Sequence, residues 1–160
     1  MKDSYLIVSA HYDHLGIGEP QEGDSIYNGV FDNAAGTAAV LELANAFSTG
    51  GDKIKRSIIF LLVTGEEKGL LGSTYYADHP IKPLYKTVAN INIDGVASFD
   101  NFKSIIAIGA EFSTLEGHVE KSAETMDLSI VQMPPQFIDS EAFNRSDQIA
   151  FTNAGIPSML

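Results

Sequence analysis

Four short apolar runs rich in β-branched residues constrain this chain most strongly. They span residues 4–10, 57–64, 88–94 and 104–109. Near-continuous apolar runs of this kind are typical of strands that are buried on both faces. Segments of helical composition lie between and after them, at residues 33–50, 67–80, 112–126 and 139–155. Strands that alternate with helices predict an α/β fold with three layers, a mainly parallel, twisted β-sheet with helices on both faces.

The composition narrows the kinds of partner and site that the chain can have. Its 160 residues contain no repeat or linker, so we predict a single domain over residues 1–160. A formal net charge of −11 argues against nucleic acid and an anionic membrane surface as partners. No apolar run approaches the ~20 residues of a membrane helix, and the first residues do not resemble a signal peptide. Because cysteine is absent, any metal must be held by His, Asp and Glu.

Side chains that bind metals follow three of the predicted strands, at the point where each strand ends. They are His11 and Asp13 after the first strand, Glu66 and Glu67 after the second, Asp94 at the end of the third, and Asp32 in the loop that opens the first helix. Open parallel sheets bind their ligands at the carboxyl ends of the strands. Three strands and one helix therefore converge on one edge of the sheet, and the sequence predicts a metal-type site there.

The spacing of these residues favours particular roles. Asp13 lies two positions from His11 on an extended chain, so both side chains face the same way and Asp13 can orient the imidazole through a hydrogen bond. Glu66 and Glu67 are adjacent on a turn and point in different directions, which allows one to bind a metal and the other to act as a general base. A bridging carboxylate from Asp32 would describe a two-metal site with ions about 3.5–4 Å apart.

Each of these residues also has a structural explanation that the sequence leaves open. Asp32 could cap the following helix, and Asp94 could belong to a turn with the glycine that follows it. His11 could be an ordinary loop histidine, and the adjacent Glu66 and Glu67 could be favoured by a helix dipole. Four unrelated coincidences at one sheet edge are less plausible than one shared site, so the sequence favours the site.

Five motifs in order along the chain resemble the signatures of the co-catalytic zinc aminopeptidases, which include bacterial leucyl aminopeptidases and glutamate carboxypeptidase relatives. The motifs are SAHYDHLG, YNGVFDNAAGTAAVLELA, FLLVTGEEKGLLGS, NINID and NRSDQIAFTNAGIPS. The resemblance covers nearly the whole chain. It implies a zinc-dependent exopeptidase that uses a metal-activated water to hydrolyse the N-terminal bond of a peptide with a free N-terminus. Members of this family are mostly secreted or periplasmic.

The resemblance also implies a role for each site residue. His11 and Asp94 would hold one zinc, Glu67 would hold the other, Asp32 would bridge the two, Glu66 would be the general base and Asp13 would orient His11. The resemblance gives no ligand role to the other three histidines, His14, His79 and His118. The segment from Ser146 to Gln148 resembles the loop that lines the family's substrate pocket, although many relatives carry His where this chain has Gln148.

The chain departs from the family pattern at both ends, and we therefore expect a catalytic domain that is incomplete at both ends. The family's sheet begins with strands that precede the HYDHLG motif, and its last zinc ligand is a histidine after the AGIP segment, whereas this chain ends at Leu160. With only Asp32 and Glu67 at the second position, we expect one tightly held zinc and little turnover. An exposed edge of the sheet predicts self-association.

Other functions remain open from the sequence. A catalytically inactive binding or scaffold module of the same fold is one, but Asp32, Glu66, Glu67 and Asp94 are all retained. A single-zinc cyclase relative is another, and the paired glutamates favour the peptidase over it. A magnesium phosphohydrolase with a strand-end aspartate nucleophile would need a second Asp at position 92, where the chain has Asn.

Overall fold

The computed structural model describes residues 3–50, 54–96, 101–132 and 142–160. In these ranges the strands are β1 (Tyr5–His11), β2 (Gly16–Gln21), β3 (Asp24–Tyr27), β4 (Ser57–Val63), β5 (Thr87–Asn92), β6 (Ser104–Ile105), β7 (Ser129–Ile130) and β8 (Ser158–Met159). The α-helices are α1 (Ala35–Thr49), α2 (Leu71–Asp78), α3 (Leu115–Thr125) and α4 (Gln148–Asn153). None of these helices combines the length and the apolar character needed to cross a bilayer.

The central sheet has four parallel strands in the order β4, β1, β5, β8. Strand β1 therefore lies inside the sheet, and its last residue, His11, is in register with Val63 of β4. Because all four strands run in the same direction, their carboxyl ends meet at one edge. The predicted parallel α/β fold is confirmed.

Successive residues of β1 belong to two apolar clusters, one on each face of the sheet. Ile7 packs with Tyr76 of α2 and Phe151 of α4. Val8, its neighbour, packs with Val40 of α1 on the other face. Successive side chains of a strand point to opposite faces, so this division follows directly from the pleat. The sheet thus has helices on both sides, which is the predicted arrangement of three layers.

Two parts of the strand prediction differ from the structure. The run 104–109 forms only the two-residue strand β6, which pairs with β7 in a separate sheet. It ends early because Gly109 has a φ of 89° and Ile108 exchanges backbone hydrogen bonds with Leu160 at 2.8 and 2.9 Å. The fourth place in the central sheet belongs to β8, from the final apolar segment. The hairpin of β2 and β3 was not predicted, because the residues of β2 are all exposed and carry no apolar pattern.

The predicted helices are present with shifted ends. The prediction for 33–50 is confirmed by α1, and that for 112–126 by α3. The helix predicted over 67–80 begins later than expected, at Leu71. The backbone of Leu70 has a left-handed conformation (φ 58°), which a right-handed helix cannot include. The prediction for 139–155 lies partly outside the described residues, and α4 occupies its second half.

Candidate metal centre

His11 lies at the carboxyl end of β1 with its side chain fully buried. Its Nδ1–H donates to the backbone carbonyl of Asp13 at 3.1 Å, so in the neutral ring Nε2 carries the lone pair that a metal would bind. Nε2 lies 3.2 Å from Asp32 Oδ1 and 3.2 Å from Asp94 Oδ1. One imidazole nitrogen and two carboxylate oxygens thus converge on the same point, which is a donor set that zinc and related ions accept.

The carboxylates around His11 change its proton affinity when no metal is bound. Burial disfavours the charged imidazolium, but the hydrogen bond and the charge of Asp94 outweigh it and raise the pKa of His11 to about 9. Burial alone would raise the pKa of Asp94. Hydrogen bonds with His11 and Ser146 have the larger combined effect and hold this pKa below its usual range. Asp94 therefore stays ionised and keeps its acceptor oxygens.

Asp32 is held by the residue that follows it in the chain. The side chain of Asn33 is buried, donates to the carbonyl of Ile93 at 2.9 Å and accepts from the N–H of Gly36 at 3.1 Å. A Cβ at Gly36 would collide with Asn33 Oδ1 and with the Ile93 carbonyl. Asp32 itself makes no capping hydrogen bond to α1. The structure therefore removes the helix-cap explanation for Asp32 and ties its loop to the end of β5.

A second group of donors lies on the other side of Asp32. Nδ1 of His14 is 2.8 Å from Oε1 of Glu67, and Asp32 is close enough to share a metal with both. Both facing atoms are buried, and neither makes a hydrogen bond of acceptable geometry within the described residues. His14 Nδ1 and Glu67 Oε1 are therefore close without a hydrogen bond between them. This arrangement fits two lone pairs that both point at a metal ion.

His14 lies beside the predicted donors, although the sequence reasoning gave it no place in the site. It was interpreted as a plain loop residue because the family resemblance gives it no role. A second histidine three positions after His11, in the same short loop, was the available signal. The remaining histidines lie away from both donor groups: His79 stacks on Tyr75 with ring centroids 4.5 Å apart, and His118 is exposed on α3.

Asp13 joins the end of β1 to the turn that carries the two glutamates. Its carboxylate accepts from the backbone N–H of Glu66 at 3.3 Å and of Glu67 at 3.4 Å. The sequence predicted a hydrogen bond from the His11 ring to this carboxylate, but the ring donates to the Asp13 carbonyl and the carboxylate is 3.6 Å away. Asp13 therefore positions both His11 and the glutamate turn, by different groups.

Glu66 has an unusual proton affinity for a carboxyl group. Burial raises its pKa to about 7, with help from the charges of Asp94, Asp147 and Glu67 and against the opposing charge of His11. A carboxyl group that titrates near neutral pH can both take up and release a proton there. Its neighbour Glu67 instead contacts His14, so the two adjacent glutamates occupy different environments, as the turn geometry predicted.

The segment from Ser146 to Gln148 lies beneath the site. Ser146, Asp147 and Gln148 are all buried. That this segment lines a substrate pocket, as the resemblance implies, stays a prediction. Burial also raises the pKa of Asp147. An apolar cavity of about 440 Å³ lies elsewhere, between residues 106–112, β7 and α3, and none of the metal donors contributes to it.

Comparison with known proteins shows which family the chain resembles over its whole length. The sequence profile of peptidase family M28 matches residues 1–160. Aminopeptidase YwaD of Bacillus subtilis is 30% identical over 155 residues, which is 96% of this chain and 30% of that protein. A vacuolar membrane protease of Verticillium alfalfae is 33% identical over 86 residues, which is 54% of this chain and 8% of that protein. The chain thus spans less than a third of the length of these relatives.

Solved structures have the same fold. A zinc aminopeptidase from Bacillus subtilis has a TM-score of 0.72 and 26% identity over 99% of this chain and 36% of its own. The LapA aminopeptidase of Legionella pneumophila has a TM-score of 0.74 with 18% identity, over 99% of this chain and 40% of its own. Glutaminyl cyclase of Porphyromonas gingivalis has a TM-score of 0.70, also at 18% identity, over 99% of this chain and 58% of its own. The last two similarities concern the fold alone.

Proposed function

Because this chain belongs to peptidase family M28, we propose that it is the metal-binding catalytic region of a zinc-dependent aminopeptidase. The observation that carries the proposal is the pair of donor groups that share Asp32, one with His11 and Asp94 and the other with His14 and Glu67. Two such positions around one carboxylate are the arrangement of a two-metal hydrolase. When bound, zinc in such a site activates a water molecule and polarises a peptide carbonyl.

The proposed metal ligands extend the set expected from the sequence. His11 and Asp94 hold one ion, Glu67 holds the second and Asp32 lies between them, as the resemblance implied. His14 is added as the imidazole donor of the second position, supported by its 2.8 Å approach to Glu67. Each ion then has three protein donors, which is sufficient for a catalytic zinc site that keeps an open position. The chain therefore has donors for two zinc ions rather than one.

Glu66 is the proposed general base. Its carboxyl group is adjacent to the ligand Glu67, and its backbone N–H is held by Asp13 at 3.3 Å. In this role its carboxylate accepts a proton from the attacking water and returns it to the departing amine. The position beside a proposed zinc ligand, and not on the metal itself, is what supports the role.

The proposed substrate is a peptide with a free N-terminus. The site contains five carboxylate side chains, from Asp13, Asp32, Glu66, Glu67 and Asp94, so a positively charged α-amine is attracted to it. The chemistry of the donors does not select a particular side chain on the substrate. The two donor groups favour a two-zinc peptidase over a single-zinc cyclase, and the retained acids disfavour an inactive binding module.

Self-association is also proposed for this chain. β4 is seven residues long and lies at one edge of the central sheet, with β1 as its only strand partner within the described residues. The outward backbone groups of such an edge can pair with another chain. We propose β4 as the strand through which copies of the chain associate.

The test of the proposed function separates metal binding from catalysis. The protein is stripped with a chelator, titrated with zinc and assayed on an aminoacyl-p-nitroanilide. We expect zinc to restore activity, and Glu66→Gln to keep the zinc while losing activity on the order of 10²–10⁴-fold. Glu67→Gln should instead lower zinc content. Glu120→Gln, a matched change at an exposed position of α3, should alter neither.

Two results would contradict the assignment. Failure of the wild-type chain to bind zinc would remove the metal centre. Loss of zinc in Glu66→Gln together with full zinc in Glu67→Gln would reverse the roles of the two glutamates.

A further inference from the structure

Buried polar side chains form a continuous hydrogen-bond chain that ends on Asp94. Asn90 Nδ2 donates to Ser9 Oγ at 2.9 Å, and Ser9 Oγ donates to Asn92 Oδ1 at 2.8 Å. Asn92 Nδ2 donates to Ser146 Oγ at 2.9 Å, and Ser146 Oγ donates to Asp94 Oδ2 at 2.6 Å. The four residues before Asp94 are at most 3% exposed. We call them the buried relay: Asn90, Ser9, Asn92 and Ser146.

The direction of the buried relay follows from the number of protons available. Each serine hydroxyl has one hydrogen, so Ser146 can donate to Asp94 only if it accepts from Asn92. Ser9 likewise donates to Asn92 and accepts from Asn90. Every link therefore points its hydrogen towards Asp94, and the last link, to an ionised carboxylate, is short, as charge-assisted bonds are.

Gln148 holds Asn92 in the orientation that this direction requires. Gln148 Nε2 donates to the backbone carbonyl of Phe143 at 2.6 Å, so its Oε1 faces Asn92. Asn92 Nδ2 lies 3.4 Å from that oxygen. If the Asn92 amide were flipped, its oxygen would face the Gln148 oxygen and no hydrogen could lie between them. A backbone carbonyl thus fixes the orientation of both amides.

The hydrogen bond from Ser146 gives the two carboxylate oxygens of Asp94 different partners. Oδ2 is occupied by Ser146, and Oδ1 lies 3.2 Å from His11 Nε2, where the first donor group converges. Without the hydroxyl of Ser146, the carboxylate could rotate and withdraw Oδ1. We propose that the buried relay orients Asp94, so that Ser146 and Asn92 are positioning residues for the first metal. The metal part of this inference rests on the proposed function, whereas the orientation of Asp94 does not.

A matched control is available in the neighbouring strand. Ser158 on β8 is also buried, and its hydroxyl donates to the carbonyl of Ile156 at 2.9 Å, outside the buried relay. Ser146→Ala and Ser158→Ala therefore remove the same atoms from equally buried positions. Any difference between them reports on the link to Asp94 and not on general loss of packing.

The experiment measures zinc affinity by competition with a chromophoric chelator, on the metal-stripped chain of 160 residues. We expect Ser146→Ala to bind zinc about 10–100-fold more weakly than the wild type, the usual effect of losing a partner of a metal ligand. Ser146→Thr, which keeps the hydroxyl, and Ser158→Ala should retain the wild-type affinity. Unchanged binding in Ser146→Ala, or equal weakening in Ser158→Ala, would overturn the inference.

A second measurement needs no metal. Crystal structures of the metal-free wild type and Ser146→Ala would give the distance from Asp94 Oδ1 to His11 Nε2. We expect the 3.2 Å contact to be kept in the wild type and lost in the variant. If the wild type bound no zinc, the proposed function would fail while this comparison still judged the buried relay. An unmoved Asp94 in Ser146→Ala would refute the relay whatever the zinc result.

Discussion

Nδ1 of His14 lies 2.8 Å from Oε1 of Glu67, although the two side chains do not form a well-aligned hydrogen bond. If this contact marks the second metal position, His14→Ala should lower the zinc content from two ions per chain to one. The remaining ion should be the one held by His11, Asp32 and Asp94. Metal analysis after equilibrium dialysis measures this directly.

The control for that variant is His118→Ala, at an exposed position of α3. It should bind as much zinc as the wild type. One zinc in both the wild type and His14→Ala would instead restore the expectation drawn from the sequence, in which the second position has no imidazole. Two zinc ions in His14→Ala would show that His14 is not a required donor.

The stability of the metal-free protein should fall as the pH rises from about 6.5 to about 9. Burial alone would lower the pKa of His11, but the hydrogen bond to Asp94 and the charges of Asp94, Glu66 and Asp147 raise it from 6.5 to about 9 in the folded state. Between these values the folded chain binds a proton that the unfolded chain has lost, so the contribution is complete below pH 6.5 and disappears through pH 9. Thermal unfolding at several pH values, compared with His11→Gln, tests this. An equal slope in the variant would contradict it.

Gly36→Ala should destabilise the protein even though alanine is the better helix former. The added Cβ would collide with Asn33 Oδ1 and the Ile93 carbonyl, and overpacking of this kind costs about 1–3 kcal/mol. In Gly117→Ala on α3 the Cβ meets nothing within 4 Å, so that variant should gain about 0.5–1 kcal/mol. Urea unfolding of both variants provides the comparison. A gain in stability in Gly36→Ala would show that Asn33 and the Ile93 carbonyl give way.

Association through the edge of the sheet should respond to a charge on β4. Leu62 is 36% exposed, and Leu62→Lys should shift the chain towards monomer because a lysine on an edge strand opposes pairing with another chain. Leu41→Lys, on the exposed side of α1, is the control and should leave the association unchanged. Sedimentation velocity measures both. A wild type that is monomeric at all concentrations would exclude this interface.

Much of the fold and of the site could be predicted because the signals were local. Continuous apolar runs marked β1, β4 and β5, and acidic or imidazole side chains stood directly after them. The four-stranded order could not be read in the same way, since β8 has only two residues and its place depends on Asn90 pairing with Ser158.

What escaped prediction depends on contacts between distant segments. The contact of His14 with Glu67 depends on the approach of its loop to the turn that follows the neighbouring strand β4. The buried relay joins Ser9, Asn92 and Ser146, which lie on three different segments, and serine and asparagine carry no periodic pattern that would mark them. Long-range polar contacts of this kind follow from the packing of elements and not from the composition of any one of them.

The central position of β1 also determines when the metal centre can form during synthesis. Tyr5 of β1 pairs with Ser57 on one side and with Thr87 on the other, so β1 must wait for two strands that are made after it. His11 and Asp32 leave the ribosome well before Asp94, and only the group of His14, Asp32 and Glu67 can be complete before β5 emerges. Pairing between segments this far apart in sequence forms late. A nascent chain therefore cannot use the proposed first metal position as a nucleus for folding, because its donors come together only once the sheet has assembled.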